Sequence, residues 1–355
     1  GGWVFGRLWA KYPWWQKIKF FGRPQVAGRR LRVVIYLLFL VSLGALYLFW
    51  RRAGNFPLFA PDPDAFRFLA DNQVPGAVNY LAQLARLFIP LAFFLIFYEG
   101  FSFRRHWDLA AISLAGAVSL ILFTSRTQIF FIDLWVMALY LFMRRPNWRQ
   151  ALKFYPAFLI VSILVLALVP LYRQYRSYGA DYLSSVTGVS IQSSNRLGAA
   201  LLPIYIGVSF NQQALLHAQD YYHTHPLQHG RVSLDIFTNI AGKLIPSLNQ
   251  FKSNFDLGAI FYSWWNTGTY LFPFVQDFGT AAFFIVPFIL AGLLALIWQY
   301  WRANPNFLSI NLYAYACFFI VMTVYLSFTV RAEMYLDLFF IFVIYWAVTT
   351  WPKSA

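Results

Sequence analysis

Charge is scarce in this chain: only 12% of its 355 residues are Asp, Glu, Lys or Arg, against 60% hydrophobic and 21% aromatic. A soluble domain carries roughly twice that share of charge, so a polytopic membrane protein is the class that remains. Cysteine occurs once, at Cys317 inside an apolar run, which excludes a disulfide framework and a thiolate metal site. Acidic residues are rarer than basic ones, leaving a formal charge of +15. In a soluble chain that excess suggests nucleic acid. Here the bases stand in short connections beside apolar runs, where membrane orientation and anionic lipid explain them, and no nucleic-acid partner is expected. Internal repeats and low-complexity tracts are also lacking. The chain opens Gly-Gly with no initiator methionine, and its first 30 residues are basic and aromatic rather than a signal peptide, so an earlier segment is expected to be missing.

What is present is a series of apolar runs near the length of about 20 residues that a spanning helix needs. They cover residues 31–50, 77–98, 108–124, 127–143, 151–171, 281–300, 309–328 and 333–351. The expected fold is therefore an all-α polytopic integral membrane protein with about eight transmembrane helices. Its parts are a cytoplasmic N-terminal segment (1–30), a five-helix block (31–171), a long external loop (172–280) and a three-helix block (281–355). Lys17 to Arg32, Arg104-Arg105-His106, Arg144 to Arg149 with Lys153, Arg302 and Lys353 fall on one side under strict alternation. That side is read as the cytoplasm, with both ends of the chain; Arg51 and Arg52 run against the pattern. Residues 197–215 are expected to lie in or dip into the interface, because a crossing would break the alternation. Residues 231–262 suit amphipathic helices packed over the membrane.

Few residues are suited to chemistry. Arg126 lies between two spans with almost no connecting loop, and Asp133 follows seven residues later on the same helical face. Arg331 has a similar setting, with Asp337 six residues on and Glu333 between them. Charges that deep should face a bundle interior or a wet cavity and be paired. The plain alternative for each arginine is an anchor that snorkels to lipid phosphate. The coincidence of two such arginines, each with a following carboxylate and both on the side of the long loop, favours a site. A guanidinium presents a rigid fork of donors that matches phosphate oxygens and keeps its proton, so such a cluster suits a pyrophosphate. Arg86, Arg173 and Arg176 could add to it, or could be span-end anchors.

In the long loop, Asn266 and Asp277 flank an aromatic stretch that ends at Gly279. Asp277 could orient or deprotonate a sugar hydroxyl, or cap a helix. Tyr270 could stack on a sugar, although Tyr270, Trp264 and Trp265 also fit an interfacial aromatic belt. His217 and His223 lack the spacing of a zinc site. Asp62-Pro-Asp64 could be the acidic pair of a metal-using enzyme, but Asp and Pro are ordinary turn formers.

Ser125-Arg126-Thr127 at the head of a span, Asn266, Asp277-Phe-Gly279 and Val330-Arg331-Ala332-Glu333 together resemble the oligosaccharide repeat-unit polymerases of the Wzy type, which assemble O-antigen and related polysaccharides. The order and the large external loop in the second half also fit. The resemblance implies a GT-C-like helical fold in the bacterial inner membrane and an inverting glycosyltransferase that needs no metal or cofactor. Its substrates would be polyprenyl-pyrophosphate-linked glycans held at the outer leaflet, with membrane lipid and a chain-length regulator protein as further partners. Arg126 and Arg331 would stabilise the leaving pyrophosphate, Asp277 or Glu333 would assist the acceptor hydroxyl, and Arg86, Asp133, Arg173, Arg176, Asn266 and Tyr270 would line the substrate. An O-antigen ligase shares this arginine chemistry, and a transporter or flippase of lipid-linked sugars is an alternative from another class.

Overall fold

The computed structural model describes residues 25–147, 149–150, 211–222, 224–251, 269–323 and 332–350, with positions 4, 155, 156 and 160. The chain divides into two compact units, one of Val26–Ile204 with Ile344–Thr350 and the other of Tyr205–Val343 with both termini. Helix dominates the described residues, as the composition requires, because in hydrocarbon each backbone polar group needs a partner from its own segment. Four stretches are long and apolar enough to cross a membrane: Gly28–Ala53, Gly76–Glu99, Thr127–Arg144 and Phe272–Ala303. These coincide with the expected spans at 31–50, 77–98, 127–143 and 281–300. The expectation at 108–124 falls on a 20-residue helix with a basic first turn, and that at 151–171 lies almost wholly outside the described residues. Those at 309–328 and 333–351 are met in part by shorter helices.

In the first unit, α1 (Gly28–Ala53) ends on Gly54, whose left-handed backbone (φ 76°) lets its N–H reach the Trp50 carbonyl. Helix α2 (Pro63–Gln73) begins where Asp62 Oδ1 accepts the Ala65 N–H at 3.0 Å. Asp62-Pro63 is thus a helix start, with a carboxylate cap and proline in the first turn. The expected span 77–98 is broken into α3 (Gly76–Ala82) and α4 (Ala85–Glu99). At the break, Gln83 donates through Nε2 to the Asn79 side chain and backbone at 2.7 and 3.3 Å, while tighter i to i+3 bonds carry the backbone through Leu84. Helices α5 (Phe103–Leu122) and α6 (Arg126–Arg144) follow.

Helix α4 is the axis of this unit. It is apolar on every side and packs against α1, α5 and α6, so Leu87, Leu91, Ala92 and Leu95 are fully buried. Pro90 inside it supplies no N–H to the Arg86 carbonyl. Its C-terminal end is tied by charge: Glu99 Oε2 meets Arg105 at 3.1 Å, His106 at 3.2 Å and Arg32 at 3.8 Å. Asp108 beside it holds Arg32 at 3.3 Å and accepts the Tyr36 hydroxyl. A second cluster, built on Phe49 with Phe56 and Phe123 at centroid spacings of 4.7 to 6.0 Å, fills the space under the α5–α6 turn.

The second unit holds helical residues 211–222, α7 (Asp235–Leu244), α8 (Phe272–Phe278), α9 (Ala282–Ala303), α10 (Phe307–Met322) and the larger part of α11 (Ala332–Val348). Helix α10 starts on a reciprocal cap, Asn306 and Ser309 each accepting the other's N–H at 2.9 Å. Helix α7 leaves Phe237 and Ile240 exposed, with Leu234 and Ile245 exposed at its two flanks. Of the range 231–262, where amphipathic helices over the membrane are expected, residues 252–262 lie outside the described residues.

Close packing of α5 on α4 depends on one missing side chain. A Cβ built on Gly116 would lie 2.6 and 2.8 Å from ring atoms of Phe88. Phe88 is buried and packed edge-on against Phe39, so it has nowhere to go. Gly116→Val is therefore expected to destabilise the protein by about 1–3 kcal/mol through overpacking, and unfolding in detergent micelles measures it. An unchanged midpoint would show that the α4–α5 contact is not tight.

Candidate functional site

In the first unit, α4 and α6 run side by side with their first turns at the same end. Ser125, the residue before α6, donates its Oγ to Gln83 Oε1 at 3.2 Å. Gln83 in turn stands three residues before Arg86, whose N–H donates to the Gln83 carbonyl at 3.3 Å. At the opposite end, Arg144 on α6 reaches the Gly100 corner that follows α4. Two of the sequence-selected arginines, Arg86 and Arg126, thus sit in the opening turns of neighbouring helices. Ser125 bonds Gln83 and makes no capping hydrogen bond to α6. Uncapped N–H groups at the positive end of a helix dipole favour an anion.

Arg86 is buried, and its guanidinium carbon lies 4.3 Å from the centroid of the Tyr80 ring. A cation over that face is held in a fixed pose. The reversal into α6 is strained: Thr124 is buried with φ 52°, a left-handed conformation that is costly for a β-branched residue. Its Oγ1 has no hydrogen-bond partner among the described residues. Asp133 is half-buried two turns along α6.

In the second unit, Asp277 is fully buried at the end of α8, and both carboxylate oxygens are engaged. Oδ1 accepts the Val232 N–H at 3.1 Å and Oδ2 the Ser233 N–H at 2.7 Å. The left-handed pair His229 (φ 52°) and Gly230 (φ 93°) turns the chain so that these two amides converge. Such a concavity binds anions, and here the protein's own carboxylate fills it. Backbone bonds from Gln228 to Gln276 and from His229 to Asp277, with Gln276 Nε2 donating to the Ala218 carbonyl, latch α8 to the segment before α7. Each Asp277 oxygen thus accepts one internal amide. The structure gives Asp277 a structural role, a clasp between α8 and the turn before α7. Gly279 has its own local reason: φ 60° with ψ −145° is glycine-only backbone, pressed against the Tyr222 ring.

The remaining residues divide plainly. Tyr270 is half-buried, its N–H bonded to the Thr323 carbonyl at 3.0 Å, and burial raises its phenol above the ordinary value. It therefore stays a neutral donor near pH 7. Glu333 is exposed in the first turn of α11, where a carboxylate is favoured by the dipole. Asp337 is buried one turn on, and the Tyr335 ring packs edge-on against Phe237 at 4.8 Å. His217 is exposed. Arg173, Arg176, Asn266 and Arg331 lie outside the described residues, as do the side chains of Arg126 and His223. Sequence reasoning missed Gln83, Asn79, Tyr80 and Thr124. Only the polar pair Asn79 and Gln83, four apart inside an apolar run, gave a hint.

Asp277→Ala would leave two buried amides without an acceptor, a loss of about 3 kcal/mol. Asp277→Asn keeps one acceptor and should lose about half as much. Both losses should appear as a lower unfolding midpoint and faster proteolysis between residues 228 and 235; native stability in both variants would overturn the clasp. No family model, no curated protein and no solved structure matches the chain, so its chemistry has to be reasoned from its own residues.

Proposed function

We propose that the protein is a membrane glycosyltransferase that polymerises polyprenyl-pyrophosphate-linked oligosaccharide repeat units, as its resemblance to the Wzy-type polymerases implies. On this reading it has eight spans of the GT-C kind in the bacterial inner membrane, with both described ends cytoplasmic and residues 172–280 external. The observation that carries the reading is the Ser125–Gln83 hydrogen bond. It brings the head of α6, where Arg126 stands, to the break in front of α4, where Arg86 stands. The two arginines and the N-terminus of α6, which lacks an N-cap side-chain bond, suit that end to a pyrophosphate.

The reaction is a single displacement. The acceptor hydroxyl oxygen bonds to the anomeric carbon of the growing chain while the bond from that carbon to the pyrophosphate oxygen breaks. The electron pair leaves on the pyrophosphate, and inversion follows. Arg126 and Arg331 stabilise the charge that develops there, in the electrophilic role a divalent cation plays in other transferases. Arg86, held over Tyr80, orients the β-phosphate. The hydroxyl proton passes to a carboxylate, for which Glu333, exposed and on the same side of the membrane by this topology, is better suited than the clasped Asp277.

The experiment is polymer laddering from purified protein and a polyprenyl-pyrophosphate-linked repeat unit, with and without a chelator. A chelator-resistant ladder is expected. Arg126→Ala and Arg331→Ala should each lower the rate about 100- to 1,000-fold while the protein still inserts. Arg126→Lys should also lose most activity, because an ammonium cannot reproduce the bidentate fork. Wild-type ladders in both alanine variants would sink the assignment, and transfer of one finished glycan to a different acceptor would make the protein a ligase.

A further inference from the structure

The opposite end of the first unit carries a different arrangement. The start of α1, the α4–α5 corner and the end of α6 meet there, joined by the contacts of Arg32 with Glu99 and Asp108 and by Arg144 beside Gly100. Among the described residues, the carboxylates of this corner are Glu99 and Asp108. Glu99 and Asp108 are mostly buried, and they are spent on Arg32, Arg105, His106 and the Tyr36 hydroxyl. Arg29, Arg30, Arg104, Arg144 and Arg145 are exposed around them. Positive charge is therefore presented outward and negative charge kept inside.

Aromatic side chains are interleaved with these arginines. Phe101, Phe103 and Trp107 are 75%, 70% and 62% exposed, although three of the membrane-length helices end at this corner. Large exposed rings beside arginines suit neither water nor hydrocarbon, but they suit the boundary between them. Arginine forks match phosphate, and the rings fit the glycerol and upper acyl region behind it. The dipole of α5, whose N-terminus opens into the corner, adds to the attraction for an anion.

From this charge and ring pattern we infer that the α1/α4–α5/α6 corner is a headgroup site for an anionic glycerophospholipid, bound as a retained lipid at the protein surface. The phosphate is taken by Arg30 and Arg104 with their neighbours, and Phe101, Phe103 and Trp107 flank the glycerol. The site lies at the end of α4 away from Arg86, so it does not depend on the glycan chemistry proposed there.

The test uses the purified full chain in neutral detergent with fluorescent phosphatidylglycerol and, separately, fluorescent phosphatidylcholine. Phosphatidylglycerol should bind more tightly, and the preference should vanish in 1 M salt, where the screening length is about 3 Å. Arg30→Gln and Arg104→Gln should each weaken phosphatidylglycerol binding about fivefold, with phosphatidylcholine unaffected. Arg51→Gln with Arg52→Gln, at the other end of α1, should leave it unchanged. Should the glutamine variants fold poorly, Arg30→Lys with Arg104→Lys keeps the charge and should retain most of the preference. Equal binding of the two lipids by the wild-type chain would overturn the inference, as would an equal loss in the Arg51/Arg52 variant. Displacement by millimolar inorganic phosphate would make it a simple anion site and overturn the lipid assignment.

Discussion

The first unit depends on one constraint: a helix with no polar face must be surrounded. Helix α4 satisfies it with α1, α5 and α6, and its only ionisable groups of opposite sign, Arg86 and Glu99, are placed in its first turn and at its last residue. Burial of such a helix removes water from its whole length, so its charges cannot stay unpaired. Glu99 gathers Arg32, Arg105 and the His106 ring, and Arg86 lies on the face of Tyr80. The two ends of the unit differ chemically because the two ends of this helix do.

That arrangement also explains why the α5–α6 turn is where it is. Phe123 must reach the Phe49 and Phe56 rings, which forces Thr124 into a left-handed conformation before α6 can begin. Ser125 then faces Gln83 instead of capping its own helix. Packing on one side of the turn thus draws the N-cap side chain away from the helix on the other. Strain of this kind persists only where surrounding contacts hold it, and such positions cluster at functional sites.

Apolar length was legible in the sequence because it is a local property, and four expected spans recur as helices of spanning length. The isolation of Arg126 between two spans was legible for the same reason. The break at Gln83 was not, since no proline or glycine marks it; an amide side chain bonding back to Asn79 is an ordinary pair until the fold places Ser125 against it. Asp277 shows the opposite failure. A carboxylate before Phe278-Gly279 drew attention as chemistry, yet its partners are amides 44 and 45 residues away, and no short-range pattern announces such a clasp. Asp62 was read as a turn former and is a helix cap, a difference of one hydrogen bond.

Pro90 gives α4 unequal mechanics. Between Gln83 and Pro90 the helix has a break, short i to i+3 bonds and one backbone hydrogen bond that cannot form. Between Leu91 and Glu99 it is a regular helix clamped by charge. One half of α4 is therefore held by packing and the Tyr80 face, and the other half by charge as well.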